Sequence, residues 1–551
     1  MISLYTVADY LLDRLKEIGI DDIFGVPGDY NLKFLDRITA SKELNWVGNA
    51  NELNAAYMAD GYARTKGIAA FVTTFGVGEL SAVNGLAGSY AENVPVIEII
   101  GSPTTSVQKD KKLVHHTLGD GDFLRFERMH EEVTGAIAHL TTENATAEID
   151  RVLTVAMTQK LPVYINLPID IAEIVVSKPI SPLLGQPEQL TEIETTLLNS
   201  IEKALNQSEN PVVITGHEIL SYGLEQILDS FIQKFNLPIA TLPFGKGSFN
   251  EEDPHFLGTY SGSTTSEPLK KRIDTADLVL LLGVKLTDSA TSGFSYGFTE
   301  DQIISVGCTE VNVYGKKQDG IQLNSLLSAL STLHYPGFSG EIIAVKRSPE
   351  QINTKKKLTQ KQFWNMVETF LVQGDTVIGE QGTSFFGLTN VPLKKEMHFI
   401  GQPLWGSIGY TFPATLGSQI ANKNSRHLLF IGDGSLQLTV QELGTAIREQ
   451  LIPIIFVINN NGYTVEREIH GATEAYNDIP MWDYQHLPYV FGGTKQRVAT
   501  YKVTTEAELE QAMQMAKKDT KRLQWLEVVM DQEDAPELLK KLAKIFAKQN
   551  S

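Results

Sequence analysis

The chain has 551 residues, of which 42% are hydrophobic and 21% charged, and its formal net charge is −19. These proportions are typical of soluble globular proteins and exclude a disordered, fibrous or disulfide-framed chain, while the length predicts several domains. The acidic balance without a stripe of Lys or Arg argues against a nucleic-acid partner, and the single cysteine, Cys308, excludes an intramolecular disulfide and disfavours a cysteine-based zinc site.

The beginning of the chain argues against secretion. Asp9 and Asp13 lie inside its apolar pattern, where a signal peptide does not tolerate acidic residues. The longest apolar runs, such as Ala276–Val284, are much shorter than a membrane span. We therefore expect a cytoplasmic protein without a membrane partner.

The first third of the chain alternates helices with short strands that are apolar throughout. The predicted elements are a helix over 7–18, strands at Ile23–Val26 and Asn45–Gly48, a helix at Asn51–Arg64, a strand at Ile68–Phe75, a helix at Glu79–Tyr90 and a strand at Val94–Ile100. Continuously apolar strands are typical of a parallel sheet that is covered on both faces.

The same alternation recurs twice. Further strands are predicted at Pro211–Thr215, Pro238–Leu242, Leu278–Leu282 and Ile303–Val306, and then at Thr376–Ile378, His427–Ile431, Pro453–Ile458 and Leu526–Val529. The polar stretches Lys178–Gln189 and Arg347–Lys357 are predicted linkers. We therefore expect an α/β protein with three doubly wound parallel-sheet domains, at residues 1–180, 190–345 and 358–551.

Two polar motifs follow neighbouring predicted strands of the last block. Gly432-Asp433-Gly434-Ser435 directly follows one strand, and Asn459-Asn460-Asn461-Gly462 ends the next. The 27 residues from Asp433 to Asn460 leave room for one helix, predicted at Leu438–Gln450, and a return strand. Both motifs should therefore lie together at the carboxyl edge of a parallel sheet, where such sheets bind ligands.

The residue types in these motifs suit a metal and a phosphate. Oxygens of Asp433 and Asn460 are hard ligands for Mg²⁺ or Ca²⁺, and the glycines allow backbone N–H groups to approach a phosphate at a helix start. The pattern favours a magnesium diphosphate site. The alternative is a plain strand–turn–helix in which Asp433 only caps the helix.

This pair of motifs resembles the thiamine diphosphate motif, and the resemblance covers nearly the whole chain. The segments that carry it are Phe24-Gly-Val-Pro-Gly-Asp29, Asn51-Glu52-Leu53, Thr73-Thr-Phe-Gly-Val-Gly-Glu-Leu-Ser81, His115-His116, Gly382-Thr383-Ser384, Gln402-Pro-Leu-Trp-Gly-Ser-Ile-Gly409 and Gly462-Tyr-Thr-Val-Glu466. They are similar to the 2-keto acid decarboxylases of the pyruvate and indolepyruvate decarboxylase family, above all to the bacterial branched-chain and aromatic keto acid decarboxylases.

The resemblance implies a fold, a reaction and an assembly. The three domains would be a pyrimidine-binding (PYR), a central and a diphosphate-binding (PP) domain. The reaction would be non-oxidative decarboxylation of a 2-keto acid, such as 2-ketoisovalerate, phenylpyruvate or indolepyruvate, to the aldehyde and CO₂ through a thiamine diphosphate ylide and an enamine, with Mg²⁺ as the metal. The active sites would be shared between the subunits of a homodimer, which usually forms a homotetramer.

The resemblance also assigns residues. The implied catalytic residues are Asp29, Glu52, His115, His116 and Glu466. The implied cofactor-binding residues are Glu52, Thr383, Gly406, Ser407, Ile408, Asp433, Gly434, Ser435, Asn460, Gly462 and Tyr463, and Asp433, Asn460 and Gly462 would hold the metal. The implied substrate pocket consists of Ser289, Phe385, Phe386, Val465 and Ile469.

In the family, Glu52 would hydrogen-bond N1′ of the aminopyrimidine, and Ile408 would wedge beneath the thiazolium ring while the Gly406 carbonyl receives the amino group. Asp29, Glu52 and the two histidines would come from one subunit, and Asp433, Asn460 and Glu466 from its neighbour.

Three alternatives remain. The first is a pyruvate decarboxylase. Bacterial members of that group tend to carry tryptophan at the position of Phe385 and isoleucine at that of Val465, so the smaller residues of this chain would enlarge the pocket. An acetolactate synthase-like carboligase generally lacks the His115-His116 pair. A non-catalytic nucleotide-binding module would leave Glu52 without a role, and no GxGxxG or Walker A motif stands in the right context.

Overall fold

The structure, a computed structural model, describes residues 4–184, 190–308, 310–319, 323–343 and 356–549. Three sheets follow one another along these residues, each flanked by helices and each mainly or wholly parallel. The expected α/β class with three parallel-dominated sheets is thereby confirmed. Of the predicted linkers, residues 185–189 and 347–355 lie outside the described residues, whereas residues 178–184 are described and contain neither helix nor strand.

The first sheet has the order β2-β1-β3-β4-β6-β5, and all of its pairings are parallel. Its strands are β1 (Asp22–Gly25), β2 (Asn45–Gly48), β3 (Ala69–Thr74), β4 (Val96–Ser102), β5 (Ala136–His139) and β6 (Val163–Pro168). Its helices are α1 (Val7–Glu17), α2 (Leu32–Ala40), α3 (Glu52–Lys66), α4 (Val77–Ala91), α5 (Thr105–Lys109), α6 (Arg125–Glu131), α7 (Ala145–Gln159) and α8 (Ile169–Ala172).

The middle sheet has the order β13-β12-β11-β10-β7-β8-β9. Its elements are α9 (Glu192–Gln207), β7 (Pro211–Thr215), α10 (His217–Ser221), α11 (Glu225–Phe235), β8 (Ile239–Thr241), β9 (Phe256–Thr259), α12 (Glu267–Asp274), β10 (Leu278–Leu282), β11 (Ile303–Val306), β12 (Glu310–Val313), β13 (Lys316–Asp319) and α13 (Leu323–Leu330).

The doubly wound pattern predicts a wholly parallel sheet, but this sheet is only partly parallel. Strands β11, β12 and β13 pair antiparallel. The turn between β12 and β13 is Tyr314-Gly315, and both residues have positive φ, at 52° and 82°. Two central residues with positive φ match the twist of a two-residue hairpin, which reverses the chain in place of a crossover helix.

The third sheet has the order β15-β14-β16-β17-β19-β18 and is parallel throughout. Its elements are α14 (Gln360–Phe370), β14 (Thr376–Gly379), α15 (Thr383–Leu388), β15 (His398–Ile400), α16 (Thr411–Ala421), β16 (His427–Gly432), α17 (Asp433–Thr439), α18 (Leu443–Arg448), β17 (Ile454–Asn459), α19 (Thr464–Ile469), α20 (Leu487–Val490), β18 (Val498–Val503), α21 (Glu506–Lys518), β19 (Leu523–Val529) and α22 (Glu537–Gln549).

One predicted helix is wrong in its bounds. Instead of a single helix at Leu438–Gln450, the chain enters α17 directly at Asp433 and is interrupted by a 3₁₀ turn at Val440–Glu442 before α18. The interruption has a tertiary cause. Thr439, at the end of α17, donates a hydrogen bond to the Gly409 carbonyl at 2.7 Å. Glu442 accepts hydrogen bonds from the side chains of Asn49 and Asn54, near the start of α3.

The first sheet with helices α1 to α8 forms a first unit, and the third sheet with helices α14 to α22 forms a third unit. These two units pack through α3 and α16. A Cβ atom at Gly61 would lie 2.1 Å from the Ala414 carbonyl oxygen, and one at Gly417 would lie 1.9 Å from that of Met58. The two helix backbones therefore touch, and only glycine fits at these crossings. Along the described stretches of the chain, no helix is long and apolar enough to cross a bilayer.

Candidate active site

A cavity of about 200 Å³ lies at the carboxyl edge of the third sheet. The two polar motifs meet there because β16 and β17 are neighbouring parallel strands, with Gly432 paired to Ile458. Eleven of the residues implied by the resemblance lie in its wall: Thr383, Gly406, Ile408, Asp433, Gly434, Ser435, Asn460, Gly462, Tyr463, Val465 and Glu466. Gln381, Gly382, Ser384, Gly432 and Thr464 complete the wall.

Asp433, Asn460 and Gly462 come together in the wall of this cavity. One terminal atom of the Asn460 amide lies 3.1 Å from Asp433 Oδ1 and 3.2 Å from the Gly462 carbonyl oxygen. With the nitrogen there, the amide donates to both oxygens, as expected without a cation; with the oxygen there, the amide can join them as a third metal ligand. Neighbouring oxygen ligands of octahedral Mg²⁺, each about 2.1 Å from the ion, lie about 3.0 Å apart. With its oxygen on this side, the Asn460 amide therefore has the spacing of a neighbouring Mg²⁺ ligand to both of the other oxygens.

Other residues of the wall suit a phosphate. Gly382, with φ of 119°, leads into α15 at Thr383. The buried Ser384 hydroxyl, which can donate to a phosphate oxygen, has no hydrogen-bond partner among the described residues. At Gly434, a Cβ atom would lie 2.6 Å from the Tyr463 ring, so only glycine fits beneath that ring. Unpartnered buried polar atoms in a cavity wall indicate a missing polar ligand.

Burial controls the protonation of the two carboxylates in the wall. It raises the pKa of Asp433 to about 6, although hydrogen bonds from the Gly434 and Gly462 N–H groups oppose this. Partial desolvation in the cavity wall also raises the pKa of Glu466. A cation near Asp433 would reverse the shift, because it favours the ionised carboxylate.

The shift at Asp433 makes the apoprotein less stable at neutral pH. Since folding raises the pKa from 3.8 to about 6, the stability conferred by the bound proton is present below about pH 4 and lost as the pH rises through 6. We expect apoprotein carrying Asp433→Asn to exceed wild type in stability by about 3 kcal/mol at most above pH 7 and to equal it near pH 4. Thermal unfolding in EDTA across this range measures the difference. Equal midpoints at pH 7.5 would contradict the buried carboxylate.

Glu52 lies at the start of α3, which Asn51 caps by accepting a hydrogen bond from the Asn54 N–H at 2.8 Å. Burial raises the pKa of the Glu52 carboxyl. Glu442 of the third unit stabilises the start of this helix, because its carboxylate accepts hydrogen bonds from the side chain of Asn54 and from the Ala50 N–H. No motif singles out Glu442, because its partners lie nearly 400 residues away.

Asp29, His115 and His116 form one cluster at the carboxyl edge of the first sheet. His115 Nε2 lies 2.7 Å from Asp29 Oδ2, and His116 Nε2 lies 3.7 Å from Asp29 Oδ1. The Tyr30 ring stacks on His115 at a centroid distance of 5.0 Å. Two imidazoles on one carboxylate can exchange protons with a substrate and with each other.

The four implied residues of the first unit, namely Asp29, Glu52, His115 and His116, are not in the wall of the cavity of the third sheet. Ser407 is also outside it, and its hydroxyl is 2.5 Å from the Tyr57 hydroxyl instead. The implied residues thus form two groups within one chain.

The implied substrate-pocket residues are divided as well. Phe385 and Phe386 are buried and belong, with half-buried Val465, to a hydrophobic cluster that also includes residues of α22. The Phe385 ring packs against Phe399 at 5.9 Å. Val465 also lies in the cavity wall. Ser289 and Ile469 are half-buried outside the cavity wall.

Sequence reasoning missed Glu380, which holds the wall together. It is fully buried at the end of β14, and its carboxylate accepts hydrogen bonds from the Thr411 hydroxyl at 2.6 Å and the Gly409 N–H at 3.2 Å. Burial raises its pKa to about 7. The only sequence signal was its position two residues before the Gly382-Thr383 motif.

Comparison with known proteins agrees with this geometry. Three thiamine pyrophosphate enzyme family models match the chain: the N-terminal TPP binding domain at residues 5–124, the central domain at 198–325 and the C-terminal TPP binding domain at 382–528. Each model matches residues of a different one of the three sheets.

Similar curated proteins carry one name. The chain is 43% identical to an alpha-keto-acid decarboxylase of Mycolicibacterium paratuberculosis over 98% of this chain and 96% of that protein. It is 42% identical to one of Mycobacterium tuberculosis over 99% and 98% of the two chains, and 41% identical to one of Mycobacterium leprae over 98% and 96%. This chain therefore belongs to the thiamine diphosphate-dependent alpha-keto-acid decarboxylases, and it is a carboxy-lyase.

Proposed function

We propose that this decarboxylase uses Mg²⁺ and thiamine diphosphate to convert a branched-chain or aromatic 2-keto acid to its aldehyde. The observation that carries the metal is the position of one Asn460 amide atom 3.1 Å from Asp433 Oδ1 and 3.2 Å from the Gly462 carbonyl oxygen, which is the spacing of octahedral ligands when that atom is the amide oxygen. A plain capping role for Asp433 does not explain why the Asn460 amide lies against both of these oxygens.

Thiamine diphosphate, when bound, supplies an electron sink for the bond that breaks as CO₂ leaves. The residues around it have separate tasks. Thr383, Ser384 and the Gly434 and Ser435 N–H groups would hold the diphosphate, and Ile408 with Gly406 would hold the ring system from the facing wall.

Proton handling is assigned to five carboxyl or imidazole groups. Glu52 would hold a proton at N1′ of the aminopyrimidine, a task that its raised pKa favours. Asp29, His115 and His116 would supply or accept protons at the substrate carbon as the aldehyde forms. Glu466, with its raised pKa, would act from the other side of the cavity.

These tasks require two subunits. The residues of the first unit are absent from the cavity wall of the same chain, so we propose that a second copy brings its own Asp29, Glu52, His115 and His116 to this cavity. The assembly would be a homodimer at least and a homotetramer in full. The domains would be 1–180, 190–345 and 358–551, and the location cytoplasmic.

Aldehyde release tests the function. Purified protein with Mg²⁺ and thiamine diphosphate is coupled to an alcohol dehydrogenase and NADH, and kcat/KM is compared for pyruvate, 2-ketoisovalerate, 4-methyl-2-oxopentanoate, phenylpyruvate and indolepyruvate. We expect the branched or aromatic acids to exceed pyruvate. If pyruvate exceeds them, the substrate proposal is wrong, and if pyruvate is consumed without aldehyde, the chain is a carboligase.

The same panel tests the pocket through Val465, which lines the cavity. Val465→Ile adds one methylene to the wall, so we expect kcat/KM for the bulky acids to fall about tenfold relative to that for pyruvate. Val490→Ile is the matched control, because Val490 is 76% exposed. An unchanged ratio in Val465→Ile would remove this residue from the substrate pocket.

A further inference from the structure

A cluster of three ionisable side chains is buried beneath the first unit's part of the proposed site. Glu79 of α4, Glu98 of β4 and His130 of α6 are all 0% exposed. His130 Nε2 lies 3.3 Å from Glu98 Oε2, and His130 Nδ1 lies 3.9 Å from Glu79 Oε2. Buried charged groups outside a ligand site are uncommon and call for a physical explanation.

The surroundings of His130 favour its cationic form. Its Nδ1 lies 2.8 Å from the Phe126 carbonyl oxygen, which can only accept, so Nδ1 carries a proton. Its Nε2 lies beside the Glu98 carboxylate without a hydrogen bond between them, and the negative charge favours a second proton on this nitrogen. Although burial alone lowers the pKa of His130, the carboxylates of Glu98 and Glu79 raise it to about 9.

The two carboxylates are held by neutral donors as well. The Tyr164 hydroxyl donates to Glu79 Oε2 at 2.8 Å, and the Thr73 hydroxyl donates to Glu98 Oε1 at 3.2 Å. Glu79 Oε1 accepts a hydrogen bond from the Gly76 N–H at 2.7 Å. The last contact ties the cluster to the turn Gly76–Gly78 at the start of α4.

This turn touches both groups of catalytic candidates in the first unit. Gly76 has φ of 68°, and a Cβ atom there would lie 1.9 Å from the His116 carbonyl oxygen. A Cβ atom at Gly78 would lie 3.3 Å from Glu52 Oε1. The His116 backbone therefore rests on one glycine of the turn, and the Glu52 carboxylate lies beside the other.

The cluster also reaches the histidines from a second direction. Helix α6 follows the loop that contains His115 and His116, and the Phe126 ring of this helix packs on Gly76: a Cβ atom there would lie 3.1 Å from Phe126 Cε2. His130, one turn further along α6, fixes the helix against β4 and α4.

We infer that the Glu79–His130–Glu98 cluster positions the reaction's proton-transfer groups: it fixes the Gly76–Gly78 turn, and through it the His116 backbone and the Glu52 carboxylate. This inference rests on the proposed roles of Glu52 and His116. His130 itself, enclosed away from the cavity, is a positioning residue.

His130→Gln tests the inference, because it removes the imidazole that lies beside both Glu98 and Glu79. We expect kcat per bound thiamine diphosphate to fall tenfold to a hundredfold, or roughly the effect of misplacing a catalytic group, while KM changes by about twofold or less. Hydrogen exchange should rise in peptides covering 73–80 and 113–124.

His139→Gln is the matched control. His139 forms the other histidine–glutamate pair of this unit, with Nδ1 2.8 Å from Glu127 Oε2, and its side chain is 29% exposed. A merely stabilising cluster would lower the melting temperature in His130→Gln but leave kcat per bound cofactor and exchange at 113–124 unchanged, which would overturn the inference.

A milder variant covers failure of His130→Gln to fold. Tyr164→Phe keeps the buried ring and removes only the hydroxyl that donates to Glu79, so we expect kcat to fall about threefold, the effect of one lost hydrogen bond. An unchanged kcat in Tyr164→Phe overturns the inference in that case. Hydrogen exchange does not require turnover. It can therefore contradict the inference even if the wild-type protein releases no aldehyde, so failure of the inference is distinguishable from failure of the proposed function.

Discussion

Glu52→Gln is expected to lower kcat about a thousandfold, within the range that a lost acid–base group costs. Glutamine keeps the size of the side chain but cannot exchange a proton at neutral pH. Folding should be preserved, because Asn51 rather than Glu52 caps α3 and Glu442 still holds the helix start. The measurements are aldehyde release at saturating cofactor and the affinity for thiamine diphosphate in Mg²⁺.

Glu43→Gln is the control, since Glu43 is an exposed carboxylate of the same unit, and it should retain wild-type kcat. The cofactor affinity of Glu52→Gln should change little, because the proposed metal and diphosphate ligands all lie in the third unit. Wild-type turnover in Glu52→Gln would refute the proposed role of this carboxylate.

Asp433→Asn is expected to weaken Mg²⁺-dependent binding of thiamine diphosphate by about a hundredfold or more, since even outer-shell changes at metal sites cost 10–100-fold. The substitution keeps the shape of a buried side chain but removes the negative charge among three oxygens. Turnover should fall with occupancy. Isothermal titration with thiamine diphosphate at fixed Mg²⁺ measures the affinity.

Misfolding cannot explain such a loss if the apoprotein of Asp433→Asn is also more stable than wild type at neutral pH, as its raised pKa requires. Asp483→Asn, at a side chain that is 72% exposed, is the control. Mixing refolded Glu52→Gln and Asp433→Asn subunits tests the shared site: random pairing should restore about a quarter of wild-type activity if each site draws on two chains. No recovery would place the whole site within one chain.

The sequence predicted the elements of the sheets wherever burial alone decides them. The predicted strands Pro211–Thr215 and Leu278–Leu282 have the bounds found in the structure, because strands covered on both faces are apolar at every position. The antiparallel hairpin of β12 and β13 was not predicted. Its strands are short and polar, and Tyr314-Gly315 is a weaker turn signal than Asn-Gly.

The local order of the chain also placed Asp433 near Asn460. The two residues end neighbouring strands of one βαβ unit, so their proximity follows from a spacing of 27 residues. Gln381, which the motif analysis left out, directly precedes Gly382-Thr383-Ser384 and could have been found by extending that motif by one residue.

Other parts of the site have no local signal. Glu442 reaches Asn54 only because α3 and α16 bring the first and third units into contact. His130 of α6 meets Glu79 of α4 and Glu98 of β4 because these three elements pack together next to the Gly76–Gly78 turn. In sequence, His130 is a single histidine on an amphipathic helix.

The sequence by itself determined the α/β class, the family and the residues that suit a metal and a diphosphate, because apolar strands and glycine-rich motifs act over one or two elements. Only the tertiary structure decided how protons and positions are controlled. Burial raises the pKa values of Asp433 and Glu380. Helix packing brings the Glu442 carboxylate to the start of α3, where Glu52 lies. Both depend on what surrounds a side chain in space, which no local pattern of the chain specifies.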